Sequence, residues 1–176
     1  MGKRSDFARI DRDLYRTFDP RAGKALAPHL ESETRFVEPC AGAGDLILQL
    51  EALGHVCVAA CDVEPLAPGV QRGNALHLVR LPRPAEMFIT NPPWKRHLLH
   101  ALIRHLMKLG PLWALFDADW AFTDQASPFL PHCRKIVSAG RLLWIPGTTQ
   151  DGKDNCAWYL FDRDHDSGPH FYGGRP

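Results

Sequence analysis

The sequence has no long hydrophobic run. Nothing in its 176 residues approaches the roughly 20 consecutive apolar positions that cross a bilayer, and no membrane role is expected. Met1-Gly2-Lys3-Arg4-Ser5-Asp6 is basic but has no apolar core behind it, so no signal peptide is evident. Paired cysteine spacing is absent too. Cys40, Cys57, Cys61, Cys133 and Cys156 are odd in number and form no C-x-x-C, which argues against a disulfide framework or a zinc site. Reduced thiols in a cytoplasmic protein are the expectation, and no metal site is predicted. A basic surplus is also missing, with 21 Lys+Arg against 20 Asp+Glu, unlike a stand-alone duplex binder. Positive charge is local instead. Lys3, Arg4, Arg9, Arg12, Arg16, Arg21 and Lys24 crowd the start of the chain, and Lys95, Arg96 and His97 form a second group. No internal repeat is present.

What is there reads as one domain over 1–176, with 1–14 and 163–176 as flexible arms. A helix is expected over about 21–30, with Ala22, Leu26 and Leu30 inward. A strand at 35–39 runs into Cys40-Ala41-Gly42-Ala43-Gly44. The helix 45–53 follows, carrying Leu46, Leu50 and Leu53 at helical spacing and closed by Gly54. Val56 to Cys61 is a continuous apolar run, the pattern of a buried parallel strand. A strand at 86–90 precedes a helix with Leu98, Leu99, Leu102, Ile103, Leu106 and Met107 inward. Leu112–Phe116 is another strand, 123–132 a loop or short helix, and 135–137 a weak strand. Segments 141–145 and 156–161 read as a closing hairpin around 147–155. Alternating strands and helices predict an α/β fold, a mostly parallel sheet covered on both faces, with an antiparallel C-terminal edge hairpin. Ligands of such sheets bind at strand carboxyl ends, where strand order reverses. Glu38, the glycine turn, Asp62, Asn74, Asn91 and Asp117 are all expected at such ends.

The glycine turn lacks two things. Ile47 stands where a dinucleotide fingerprint needs its third glycine, and no phosphate-loop lysine follows. Glu38 before the turn would repel a pyrophosphate and attract a cation. Tight strand–helix turns use glycine for purely structural reasons, so the turn alone leaves both readings open. Asp62 lies roughly 20 residues past it, where α/β nucleoside sites place a ribose-binding carboxylate, with Glu64 as the fallback. Asn91-Pro92-Pro93-Trp94 follows the expected strand 86–90. Neither proline can donate a backbone hydrogen bond, so the ladder must stop there. A rigid turn, a carboxamide and a flat ring remain. That set suits a planar group bearing an NH2, against the plainer reading of a turn with a buried tryptophan.

Glu38-Pro39-x-Ala41-Gly42-x-Gly44, then Asp62, then Asn91-Pro92-Pro93-Trp94 resembles a class I S-adenosylmethionine-dependent amino-methyltransferase. The order of motifs is most similar to the DNA adenine-N6 type. The stretch from Gly140 to Phe161 is similar to small methyltransferases carried by phages and prophages. The resemblance spans roughly 15–162 and implies a Rossmann-like methyltransferase fold. It implies S-adenosylmethionine as cofactor, held by Tyr15, Thr17, Glu38, Pro39, Cys40, Gly42, Gly44, Asp62, Asn74 and Asn91. Asn74 stands where the family has an aspartate for the adenine amine. Asn91, Pro92, Pro93 and Trp94 would be catalytic, with Trp94 and Trp144 stacking on the target base. The implied partner is nucleic acid, DNA first and RNA second. RNA base amines, a protein glutamine amide, and a cofactor-binding accessory protein without catalysis stay open as alternatives. No separate target recognition domain is expected, which leaves room for a homo-oligomer or an accessory recognition subunit.

The remaining polar and aromatic residues read more plainly. His97, His100 and His105 lack carboxylate companions at metal-ligand spacing and are expected on a solvated helix face. Asp117 and Asp119 would order a pocket floor or cap a loop. Trp113, Trp120 and Trp158 are expected in the core. Asp162–Asp166 reads as a solvated charge run.

Overall fold

A computed structural model describes residues 16–145, 147 and 151–173. Its eight strands form one sheet: β1 (Arg35–Glu38), β2 (Val56–Asp62), β3 (Gln71–Arg72), β4 (Met87–Thr90), β5 (Leu112–Asp117), β6 (Cys133–Gly140), β7 (Cys156–Phe161) and β8 (His170–Tyr172). Their order across the sheet is β3-β2-β1-β4-β5-β7-β6-β8. β7 runs antiparallel to both neighbours, and every other pairing is parallel. Three α-helices accompany the sheet: α1 (Arg21–Leu26), α2 (Asp45–Ala52) and α3 (Arg96–Leu106). None of the described helices is long and apolar enough to cross a membrane.

The central strands are apolar on both sides because both faces are covered. Leu112, Ala114 and Phe116 of β5 pack with Tyr159 and Phe161 of β7 against α3, including Leu99, Ile103 and Leu106. Trp113 and Leu115 alternate to the other face with Trp158, where α1 and α2 supply Ala22, Leu26, Leu46 and Leu50. The period-two alternation along each strand therefore feeds two separate cores. Trp113, Trp120 and Trp158 are all fully buried. Chain order reverses between β1 and β4, which places Glu38 and Asn91 on adjacent strand ends.

Several local expectations are corrected. The first helix gives way after Leu26 to a tighter 3-10 turn, Ala27–His29, at Pro28. Leu53 is 42% exposed, since α2 ends at Ala52 and Gly54 takes the left-handed φ of 91° that turns the chain away. Segment 141–145 is not a strand. The antiparallel partner of β7 is β6, an eight-residue strand grown from the weak 135–137 run. Gly140, with φ of 70°, ends β6, and Leu142 then turns into the core. The antiparallel hairpin towards this edge is thus β6–β7, and β8 from the tail adds a parallel strand to β6 outside it. His100 and His105 are not on a solvated face. Trp120 Nε1 donates to His100 Nε2 at 2.9 Å, and His105 Nε2 meets the Leu78 carbonyl at 2.9 Å. An indole N–H only donates, so His100 Nε2 must be an unprotonated acceptor. Burial, with Arg104 and Arg96 nearby, pushes the His100 pKa down accordingly.

Candidate functional site

A cavity of about 250 Å³ opens at the carboxyl ends of β1, β2 and β4. Glu38 and Asp62 are the last residues of β1 and β2, Asn91 directly follows β4, and Asn74 follows β3. Of the expected site residues, Thr17, Glu38, Pro39, Cys40, Gly42, Asp62, Asn74, Asn91 and Pro93 line the cavity. Gly44, Pro92, Trp94 and Trp144 do not line it, although Gly44 caps α2 and Trp94 bonds to Asn91. Tyr15 lies outside the described residues. Arg16, Asp45, Val63 and Leu66 line it without having been anticipated.

The glycine turn is shaped by backbone angles that only glycine takes easily. Gly42 has φ of 49° and Gly44 φ of 76°, both left-handed. The turn is tied to β2 by the Asp62 carboxylate. Oδ2 accepts from Gly42 N at 2.8 Å, and Oδ1 accepts from Glu64 N at 2.8 Å. Gly42 O in turn accepts from Leu66 N at 3.0 Å. Asp62 thus faces the cavity while fixing both loops that border it.

The cavity is acidic. Glu38 is 2% exposed, and its Oε2 has no hydrogen-bond partner. Burial pushes its carboxyl well above the usual range, and Asp62 and Asp45 add to the rise. The Cys40 thiol is also pushed up, first by burial and then by Asp62, which disfavours its thiolate form. Arg16 bridges Asp45 through two bonds of 2.7 Å, joining the segment before α1 to the first turn of α2. The two are 29 positions apart, so no local pattern marked them. Gln49 on α2 is a second tie missed from sequence: it accepts from Gly23 N at 3.0 Å and donates to the Thr17 carbonyl.

Asn91 is held on both sides of its amide. Nδ2 donates to Thr17 Oγ1 at 3.0 Å, and Oδ1 accepts from Trp94 Nε1 at 3.0 Å. The indole N–H settles which amide atom is oxygen, since it needs an acceptor. Trp94 meets Trp144 edge-to-face, with centroids 5.5 Å apart and planes at 87°. Asn74 Oδ1 accepts from Leu76 N at 3.0 Å and caps the short turn Ala75–His77. Asp117 Oδ2 pairs with Arg96 at 2.8 Å, and its Oδ1 accepts from Asp119 N at 3.0 Å. Among the described residues no group of three or more His, Cys, Asp or Glu is arranged to hold a metal ion.

No family model matches the sequence, and no curated protein resembles it closely enough to count. Solved structures do match in shape. One is a candidate class I S-adenosylmethionine-dependent methyltransferase from Listeria monocytogenes, at TM-score 0.60 and 12% identity, over 96% of this chain and 68% of that one. A modification subunit of a candidate type I restriction enzyme from Vibrio vulnificus YJ016 matches at TM-score 0.57 and 12% identity, over 86% of this chain. This chain spans only 44% of that subunit. A candidate RNA methyltransferase from Pyrococcus horikoshii matches at TM-score 0.52 and 15% identity, over 80% of this chain and 81% of that one. The fold is therefore the Rossmann-like one of S-adenosylmethionine-dependent methyltransferases: α/β, mostly parallel, with antiparallel β7 near one end.

Proposed function

We propose that this chain binds S-adenosylmethionine in the acidic cavity and methylates the exocyclic N6 amine of adenine in DNA. One observation carries the reading. Asn91-Pro92-Pro93-Trp94 leaves β4 beside the buried carboxylate of Glu38, so an amine-gripping turn and a cation-seeking pocket share one cavity. The shared fold supports it, as does the restriction-modification role named for one of the similar structures.

The residues present fit that cofactor. An unpartnered buried carboxyl calls for a partner, and its ionised form would be drawn by the ammonium and sulfonium that the cofactor carries. Asp62, at the cavity wall, offers acceptors to ribose hydroxyls, while Val63 and Leu66 add apolar surface for a base. Gly42 brings the backbone close without a Cβ in the way. When bound, the cofactor supplies an electrophilic methyl group.

The chain's own task is to make an aryl amine nucleophilic. That nitrogen's lone pair is delocalised into the ring. Acceptors at Asn91 Oδ1 and the Pro92 carbonyl would hold its two hydrogens and favour the pyramidal form. A carbonyl oxygen has two lone pairs, so the amine can be accepted alongside the Trp94 indole N–H. Thr17 and Trp94 fix the Asn91 amide before substrate arrives, which is preorganisation rather than acid–base strength. Neither acceptor is a base, and the surplus proton leaves to water. A duplex adenine must be extruded to reach Asn91, and the Trp94–Trp144 pair offers aromatic surface that offsets part of the unstacking cost.

Radiolabelled methyl transfer to DNA, RNA and whole-lysate protein tests the reading. N6-methyladenine in digested DNA is expected. Label confined to RNA or to glutamine amides would move the proposal to that acceptor. Binding of S-adenosylmethionine without transfer to any acceptor would mark an accessory protein.

A further inference from the structure

Trp144 sits on the loop between β6 and β7, far in sequence from the turn it touches. Its position needs a cause, and the structure supplies one. Asp19 is 2% exposed and accepts from the Leu143 backbone N–H at 2.8 Å, next door to Trp144. Arg21 donates to the same carboxylate through Nε at 2.9 Å and Nη2 at 2.6 Å. Arg21 Nη2 also reaches Asp151 Oδ1 at 2.5 Å, on the returning side of the loop. The neck is closed by Gly152 N donating to Leu142 O at 2.8 Å. Gly152 lies close against the indole. A Cβ there would stand 2.9 Å from Leu142 O and from Trp144 Cδ1.

From this arrangement we infer that Asp19, Arg21 and Asp151 form a latch that positions Trp144 against Trp94, and so sets the acceptor side of the site. The inference rests on the reading of that side as the place where the base enters. Burial alone would push the Asp19 carboxyl up, but the Arg21 and Leu143 donors outweigh it, so the carboxylate stays charged and bonded at neutral pH. The guanidinium is a planar fork and serves two carboxylates on two chain segments at once. Two residues before Asp19, Thr17 holds the Asn91 amide. The short segment 17–21 therefore fixes both the acceptor oxygen and the ring beside it. Asp19, Arg21 and Asp151 are positioning residues, acting through Trp144.

Asp151→Ala is the main test, because Asp151 is 43% exposed in the pair and its removal spares the core. Near-ultraviolet circular dichroism of the ligand-free protein reads the indole pair. The Asp151→Ala variant is expected to reproduce part of the difference spectrum made by Trp144→Phe, with the melting temperature almost unchanged. With an adenine-bearing oligonucleotide as acceptor, its KM should rise roughly two- to fivefold, as an exposed ion pair allows. Calorimetric affinity for S-adenosylmethionine should stay within about twofold. Asp151→Glu keeps the carboxylate and should restore both signals. Arg21→Gln, which cuts both arms, should exceed Asp151→Ala in each. An unchanged indole spectrum in Asp151→Ala and Arg21→Gln overturns the latch. So does an equal loss of acceptor and cofactor binding, which is what general loosening would give. If the wild-type protein methylates nothing, the spectra still decide the latch, and the failure falls on the functional reading alone.

Discussion

Glu38 offers the sharpest test of the cavity, through protons rather than turnover. Its side chain is fully buried, Oε2 has no partner, and burial with Asp62 and Asp45 raises its pKa. Because the folded value lies above the unfolded one, the protonated form carries the stability. That stability is complete below the ordinary glutamate value and is lost as pH rises through the folded value. A cationic ligand reverses the preference and draws the carboxylate form. Binding should therefore expel a proton wherever the ligand-free carboxyl is protonated. One proton per site makes Kd tighten by up to about tenfold, about 1.4 kcal/mol, for each pH unit across that window, and flattens above it. Titrations in phosphate and in Tris, whose ionisation enthalpies differ, count the protons directly. Glu38→Gln keeps the shape and removes the titration. It should abolish both the proton release and the slope. It should also weaken binding above the window by about 1.5–3 kcal/mol, the range for a hydrogen bond to a charged group. The ligand-free Gln variant should also melt higher than wild type at alkaline pH. Zero proton release with a flat Kd profile, or a Gln variant with the wild-type slope, would refute the assignment of Glu38 to the cation.

Asn91→Ala should abolish detectable methyl transfer while changing cofactor affinity about twofold or less, with circular dichroism confirming the fold; unfolding instead would show the turn to be structural. Trp94→Phe keeps a ring but deletes the N–H on Asn91 Oδ1, so kcat should fall up to roughly tenfold, matching one lost hydrogen bond, with KM for the cofactor unmoved. Gly152→Ala forces a methyl into 2.9 Å contacts with Leu142 O and Trp144 Cδ1 and should cost about 1–3 kcal/mol in chemical denaturation. Asp19 has a lowered pKa, because the Arg21 and Leu143 donors outweigh its burial, so its contribution is present above the ordinary aspartate value and lost as pH falls through the folded one. Acid melts of Asp19→Asn should accordingly show a weaker loss of stability than wild type over that range.

The carboxyl-end geometry was legible because local rules govern it. The apolar run before Asp62, the glycines with positive φ and the two prolines after Asn91 each act within a few residues. The end of the chain is not legible in this way, for the opposite reason. Leu142-Leu143-Trp144-Ile145 has a strand's composition, yet Leu142 fills the core and Trp144 meets Trp94, both set by partners far away in sequence. Lys135-Ile136-Val137 reads as weak on its own and becomes part of an eight-residue strand once β7 is beside it. His100 and His105 carry polar labels that hide long-range hydrogen bonds. The Arg16–Asp45, Gln49–Thr17 and Arg21–Asp151 ties span 29 to 130 positions, beyond any periodicity.

The charge around the cavity constrains how a nucleic acid could approach. Glu38, Asp45, Asp62 and Glu64 line it, and Arg16 is engaged by Asp45. Such a lining repels phosphate, so a strand running through the cavity is disfavoured. On the proposed reading, the part of DNA suited to such a lining is the uncharged base. Positive charge lies instead just beyond the turn, where Lys95 is exposed and Arg96 is paired with Asp117 at the start of α3. On the proposed reading, the phosphates stay outside near α3 while an extruded adenine reaches in past Trp94. The acidity that draws the cofactor cation thereby also selects for a flipped base over a passing backbone. Positive charge near α3 should then set the salt dependence of DNA binding, and the cavity carboxylates should not. Lys95→Gln would lower the slope of log K against log salt by up to about one unit, whereas Glu64→Gln would leave it unchanged. An equal change in both would mean that the backbone crosses the cavity after all.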